Sequence, residues 1–570
     1  MFQNFRLSMA WLHTWFGLVL GFVLMVVFFY GSLSVFDREI DRWAIPSSRF
    51  APQPMPSFDT ILAPAFQKMQ PAKEAVALLE GRVNGPLPER FEVVNSWGAY
   101  TTHRDPVVSV FAGFKVPNAK DPDETVFAVH ALDPRSGAVL PQGQLRIGSE
   151  FFYPLHYSLH LTWKDLGYWI VGFSALMMLA ALVSGVVMHR KIFREFFTFR
   201  RHKTVQRSVL DLHNLTGVVA LPFHFFFAFT GLVIFAGIYF PVAHTQLHDL
   251  HELHERVEAR ETGLPHERAG VAAPMASVDR MVAQAQRRWE AKGMAGDVGF
   301  VNVTHVGDAN AYVSVYRAGT DRVALTGEGI HFKATTGELL REDPPRTAVD
   351  SVNEFLTGLH LQHFRHWMLR WLYVVGGLLG CICIATGFLF FVEKRKQQHA
   401  KVGGQGARIV DALAVTTVTG MLIATMAMLV ANRLLPESLA DKGEWERTVF
   451  WSAWGVAMAH AFVRGGAVAR AGMNPAWREQ CWLVAVGAVT AVVCNALTTG
   501  DHLGRTISAG YWPVAGVDLS LLATAVVSVL VARKLSRRAA RSAVSAGNTP
   551  LPVNSAAMGA SMKNAEASHG

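Results

Sequence analysis

Apolar residues in this chain gather into runs of about 20, separated by short charged loops or by two long polar connections. A helical run of that length spans the roughly 30 Å hydrocarbon core of a bilayer, because each residue adds about 1.5 Å. Eight spans are expected, near 11–35, 167–189, 213–239, 367–392, 411–431, 449–467, 481–498 and 514–533. The fold class is therefore mainly α: a polytopic helical membrane protein with two small α+β domains in the long connections. The first run continues into FDREIDRW without a small-residue cleavage site, so it is expected to stay as an anchor.

The expected organisation runs from a first span (1–36) to an outer domain (37–165), then spans two and three with a basic loop (166–239). A second outer domain (240–365), span four (366–396), a four-span bundle (397–535) and a disordered tail (536–570) rich in Ala, Ser, Gly and Asn complete it. Composition agrees, with 51% hydrophobic and 17% charged residues. Charge sets the orientation. The 190–203 loop carries six basic residues and one acidic, and Glu393-Lys394-Arg395-Lys396 and RKLSRRAARS are similarly basic, which predicts cytoplasmic loops and both termini inside. The net +9 is this topological bias, so no nucleic-acid partner is implied; the partner is the lipid bilayer. The long connections are then expected to face the outside, which in a bacterial inner-membrane protein would be the periplasm. All four cysteines (381, 383, 481, 494) fall in apolar runs, so the outer domains have no disulfide available.

The first 400 residues repeat. LHTWFGL (12–18) overlays LHNLTGV (212–218), matching His13 with His213 and Gly17 with Gly217, and Gly31 then matches Gly231. EFFYPLH (150–156) overlays EFLTGLH (354–360), matching His156 with His360. Between them TVFAVHALDPRSGAVL (125–140) and GIHFKATTGELL (329–340) both read as a strand, a turn at Gly137 or Gly337, and a short return. Two copies of span, outer domain, span are implied, and a pseudo-symmetry axis would bring His13 to His213 and His156 to His360.

Histidines at membrane depth call for partners. One interfacial imidazole needs no ligand role, but matched positions in two repeats suit axial ligands of a metal group held between helices. Two pairs near opposite faces suggest two haems, and with no CxxCH these would be non-covalent haem b. His224 lies deeper on the face of His213, beside Pro222, and is a candidate second-tier ligand. His189 ends span two at the depth of His13 and is an alternative to either cytoplasmic ligand; His160 is expected on the face of His156, one turn on. Beyond span three, His244, His248, His251 and His254 form a stripe if the helix continues, either a transition-metal site or a solvated face. In the last third His460, Asp501 and His502 suggest either a quinone pocket or an added packing bundle.

SGVVMHRKIFREFFTFR (184–200), the LDLHN and LPFHF elements, LHTWFGLVLGF and RWLYVVGGLLGCICIATGFLFF (370–391) resemble the PepSY-associated transmembrane family across roughly 5–396. That resemblance implies a bacterial inner-membrane protein with periplasmic PepSY-type domains, similar to haem-containing ferric-siderophore reductases of iron uptake. It places family histidines on His13, His156, His189, His213, His224 and His360. The expected function is then di-haem electron transfer to periplasmic ferric iron or a ferric siderophore. Cytoplasmic loops too short for a nucleotide domain leave a quinol or a separate reductase as donor. The alternatives are a non-enzymatic membrane protein whose PepSY-like modules bind a periplasmic partner, and a transporter.

Overall fold

The computed structural model describes residues 2–51, 53–101, 107–121, 124–140, 144–188, 204–239, 263–294, 296–319, 323, 327–344, 347–362, 364, 366–402, 404–466 and 473–547. Among the described residues, five helices are long and apolar enough to cross a membrane: Trp163–Met188, Trp367–His399, Gly406–Leu434, Ala476–Thr499 and Trp512–Ala540. Two bent pairs, Asn4–Val19 with Gly21–Ser34 and Val205–Val219 with Leu221–Ile234, raise the number to seven if each is one span. The run expected at 449–467 does lie in a helix, Lys442–Gly466. It stays outside that set because Lys442, Glu444, Glu446, Arg447 and Arg464 shorten its apolar stretch.

The two bends match. The helices turn by 60° at Leu20 and 63° at Ala220, residues 200 positions apart in the two repeats. Pro222 explains the second: it has no N–H to donate to the Val218 carbonyl and its ring crowds that oxygen, so the helix stops at Val219 and restarts with proline in its first turn. The first break has no proline, only Gly21 opening the next segment.

The two long connections do not build separate cores. Their strands join one antiparallel sheet in the order β3-β2-β1-β4-β5-β6-β7. From the first copy come β1 (Val94–Tyr100), β2 (Val108–Lys115) and β3 (Thr125–Leu132); from the second come β4 (Val298–Thr304), β5 (Tyr312–Arg317), β6 (Gly329–Lys333) and β7 (Leu339–Glu342). The seam is β1 against β4, equivalent strands paired head to tail with Trp97 opposite Val303 and Ala99 opposite Val301, as a two-fold axis through the sheet requires. The turns after β3 and β6 are copies. Gly137 N–H donates to the Asp133 carbonyl and Gly337 N–H to the Lys333 carbonyl, both at 2.8 Å, and both glycines hold positive φ. An alanine there would be strained, which fixes the sequence signature.

A reciprocal cap locks the copies together. Ser57 Oγ and Phe58 N–H donate to Asp279, while Ser277 Oγ and Val278 N–H donate to Asp59. Each acid thus satisfies donors at the start of the other copy's helix, where a carboxylate also meets the positive end of the dipole. One shared core backs the sheet, with Phe58, Phe66 and Trp97 from the first copy and Met281, Trp289 and Phe332 from the second.

Of the last four long helices, Met421–Leu434 and Trp512–Gly547 dock on the short helix Asp37–Ala44 that follows the first span. Trp43 donates Nε1–H to Asp518 at 2.7 Å, and Arg49 donates to Asp501 and to Asn495, both at 2.8 Å. Arg433 donates to the Ala44 carbonyl. Charges buried at such a junction are tolerated because each has a partner; removing one would strand the other.

Candidate functional site

The repeat brings its histidines together in two pairs. At the end of the bundle far from the sheet, His13 and His213 stand with ring centres 6.1 Å apart and planes nearly perpendicular. At the sheet side, His156 and His360 stand 6.0 Å apart with planes 27° from parallel. In each ring Nδ1 is committed. His13 donates it to the Ala181 carbonyl (2.9 Å), His213 to the Cys383 carbonyl (2.8 Å) and His156 to the Val27 carbonyl (2.7 Å). A carbonyl can only accept, so the proton sits on Nδ1 and Nε2 keeps the lone pair. His360 reaches the same state differently. Thr230 gives its own proton to the Phe226 carbonyl (2.5 Å), leaving its oxygen to accept from His360 Nδ1 at 2.8 Å.

Glycines seat the four rings. A Cβ on Gly31 would lie 2.7 Å from the His156 ring, one on Gly231 or Gly185 would lie 3.3 Å from His360 or His13, and one on Gly387 3.5 Å from His213. Each pair opens on a cavity, of about 400 Å³ at the far end and about 390 Å³ at the sheet side, both within the range that buries an organic ligand. Leu24, Phe28 and Met178 line both, so the cavities are stacked along the bundle with one layer of side chains between. Each holds an orphaned polar atom: Nε2 of His224 in the far cavity and Oε1 of Gln362 at the sheet side have no hydrogen-bond partner.

The helix break decides where His224 goes. It is only 2% exposed, meets Phe28 edge-on at 5.6 Å and lines the far cavity with His13 and His213. His160 is not on the face of His156. The helix Tyr153–Ser158 ends first, Leu159 and His160 both take positive φ, and the His160 ring stacks on Phe151 (4.7 Å) while Nε2 donates to the Phe151 carbonyl at 2.9 Å. His189 and the stripe His244, His248, His251 and His254 lie outside the described residues. Burial holds the sheet-side imidazoles neutral: His156 is pushed below the usual histidine range and His360 down to about 3.

The PepSY-associated TM region family matches residues 10–394, more than half of the chain. The chain belongs to this family. An uncharacterized protein of Pseudomonas aeruginosa, PA4219, is 25% identical over 397 residues, covering 65% of this chain and 90% of that protein. No solved structure matches significantly. Both repeats and both histidine pairs fall within the family region; the C-terminal bundle lies beyond it.

The residues of this PepSY-associated region fit a haem in two respects. Two imidazoles sharing one metal through Nε2 at about 2 Å each place their ring centres roughly 6 Å apart, the separation of both pairs. Besides its three histidines, Thr14 and Asn214, the far cavity is lined mostly by apolar residues and by two cations, Lys394 and Arg395, which suit the two carboxylates such a macrocycle carries. The sequence reading took these cations for a topology signal alone. It also missed Thr230, which no spacing marks as a second partner for His360. A further bridge went unseen: His331 donates Nε2–H to Asp343 (2.9 Å) and accepts from Ser314 (2.8 Å). With Ser314 and His331 both buried, that bridge ties β5 and β6 to the residue that follows β7.

Proposed function

We propose that this chain is a bacterial inner-membrane electron-transfer protein with two haem b groups, the far one between His13 and His213 and the sheet-side one between His156 and His360. The observation that carries the reading is the doubled geometry: two repeat-related imidazole pairs, each about 6 Å apart with Nδ1 fixed as donor. Haem iron supplies the one-electron ferric/ferrous couple. The chain's own part is to fix the tautomers, exclude water and set the two sites one side-chain layer apart. With both termini cytoplasmic the sheet is periplasmic, and the direction of transfer is outward to ferric iron or a ferric siderophore, making this a ferric reductase of iron uptake. A quinol or separate reductase is the donor.

The test is spectroscopic. Pyridine-haemochrome titration of the purified protein is expected to give two haems per chain. His213→Ala should remove the far haem and leave the sheet-side one, and His360→Ala the reverse. A folded protein that stays colourless when expressed with ample haem would defeat the reading, as would loss of both haems from either single variant.

A further inference from the structure

A third cavity, of about 320 Å³, is polar and lies apart from the two histidine cavities. Four elements wall it: β3 with His130, the helix Asp37–Ala44 with Arg38, Asp41 and Arg42, the turn Ile147–Phe152 with Glu150, and the start of Lys442–Gly466 with Glu444 and Arg447. The last wall comes from the C-terminal bundle, outside the family region.

We propose that this chamber binds a compact polycarboxylate chelate of ferric iron, and that the C-terminal bundle is present to complete it; the ferric part rests on the electron-transfer reading above. Three observations carry this. First, the chamber adjoins the sheet-side pair. Glu150 lines it, the same turn runs on into the helix of His156, and Tyr153 lines the histidine cavity while feeling the charge of Arg38. Second, four guanidinium groups line it, beside the four acids Asp41, Glu150, Asp441 and Glu444. Arg146 is held by Glu150 at 2.6 Å, Arg447 by Glu444, and Arg38 stands 3.8 Å from Asp41, while Arg42 is 5% exposed. The planar fork of arginine matches a carboxylate with two parallel bonds, and acids already beside each fork hold it in position. Third, Asp41 is 7% exposed and accepts Gly148 N–H (2.7 Å) and Ser149 N–H (3.1 Å) on Oδ1, while Oδ2 has no hydrogen bond and faces the Arg38 guanidinium at 3.8 Å. Burial raises this carboxyl to about 6, so it can take up a proton as an anion enters and then present Oδ2–H as a donor.

The volume favours a small chelate over a large siderophore. A phospholipid phosphate offers similar oxygens, and the test separates the two. The full chain in nanodiscs is titrated calorimetrically with gallium(III) citrate, a redox-inert probe. Arg447→Gln and Arg38→Gln, both on partly exposed side chains, are expected to weaken binding at least tenfold with unchanged haem content, a charge-assisted bond being worth about that much. Arg82→Gln, on an exposed side chain away from the chamber, should leave it alone. Unchanged affinity in both chamber variants, no binding by the parent, or binding in detergent that anionic lipid abolishes would overturn the proposal. Arginine-dependent binding to a protein without haem would uphold the chamber and defeat the electron-transfer reading instead.

Discussion

Gly31→Ala tests the seating of the sheet-side pair with one methyl group. The new Cβ would sit 2.7 Å from both Cε1 and Nδ1 of His156, against ordinary contact distances of about 3.5 Å or more, so the ring must retreat by roughly 0.8 Å. The retreat is opposed by the bond from Nδ1 to the Val27 carbonyl and by the buried walls of the cavity. Overpacking of this kind costs about 1–3 kcal/mol, and weakening the bond adds about 0.5–1.5 kcal/mol. Better helix propensity of alanine returns at most about 1 kcal/mol, so the clash wins. The equivalent Gly231→Ala has 3.3 Å to work with and should be milder, and Gly455→Ala, with nothing within 4 Å, should be neutral or slightly stabilising. The assay is haem content and the low-spin spectrum of each variant, beside thermal stability. If Gly31→Ala keeps the full sheet-side haem signal at parental stability, the reasoning from ring seating to ligation fails.

Gly17→Leu should lower far-haem occupancy without unfolding the protein, because Gly17 lines the far cavity and no protein atom lies within 4 Å of an added Cβ; thermal stability and haem content separate the two effects. Without haem, stability should fall with acid. His360 is held down at about 3 and His156 below the usual range, so the unfolded chain takes protons first, and stability is lost as pH drops below about 6.5 by up to about 1.4 kcal/mol per unit per group. A haem-free melting temperature that is flat between pH 7 and 5 would refute this. Asp59→Ala removes the bonds from Ser277 and Val278 and should cost about 1–2 kcal/mol, read as a lower denaturation midpoint with unchanged haem absorption. His331→Ala should destabilise the sheet by about 2–3 kcal/mol by stranding Ser314 and Asp343, again without touching the haem spectrum.

Much of this was legible along the chain because it depends on local periodicity. Runs of about 20 apolar residues become membrane-length helices whatever surrounds them, and a 200-residue offset relating His13 to His213 and Gly31 to Gly231 is visible by alignment alone. The pairing of histidines followed from that repeat, since equivalent helices meet about an axis. What spacing cannot carry is the contact between copies. Nothing in either strand set states that β1 pairs with β4, so separate outer domains were expected where one sheet and one core formed; edge strands close on whichever partner the axis supplies. The same limit hid the carbonyls that fix each Nδ1, the hydroxyl of Thr230, and the placing of His160, whose helix ends two residues too early for the i+4 rule. It also hid the polar chamber, which draws its walls from residues 38 to 447. Helix and strand are written in neighbours a few residues apart, whereas a ligand site is a meeting of distant side chains, and only the folded bundle brings them within reach.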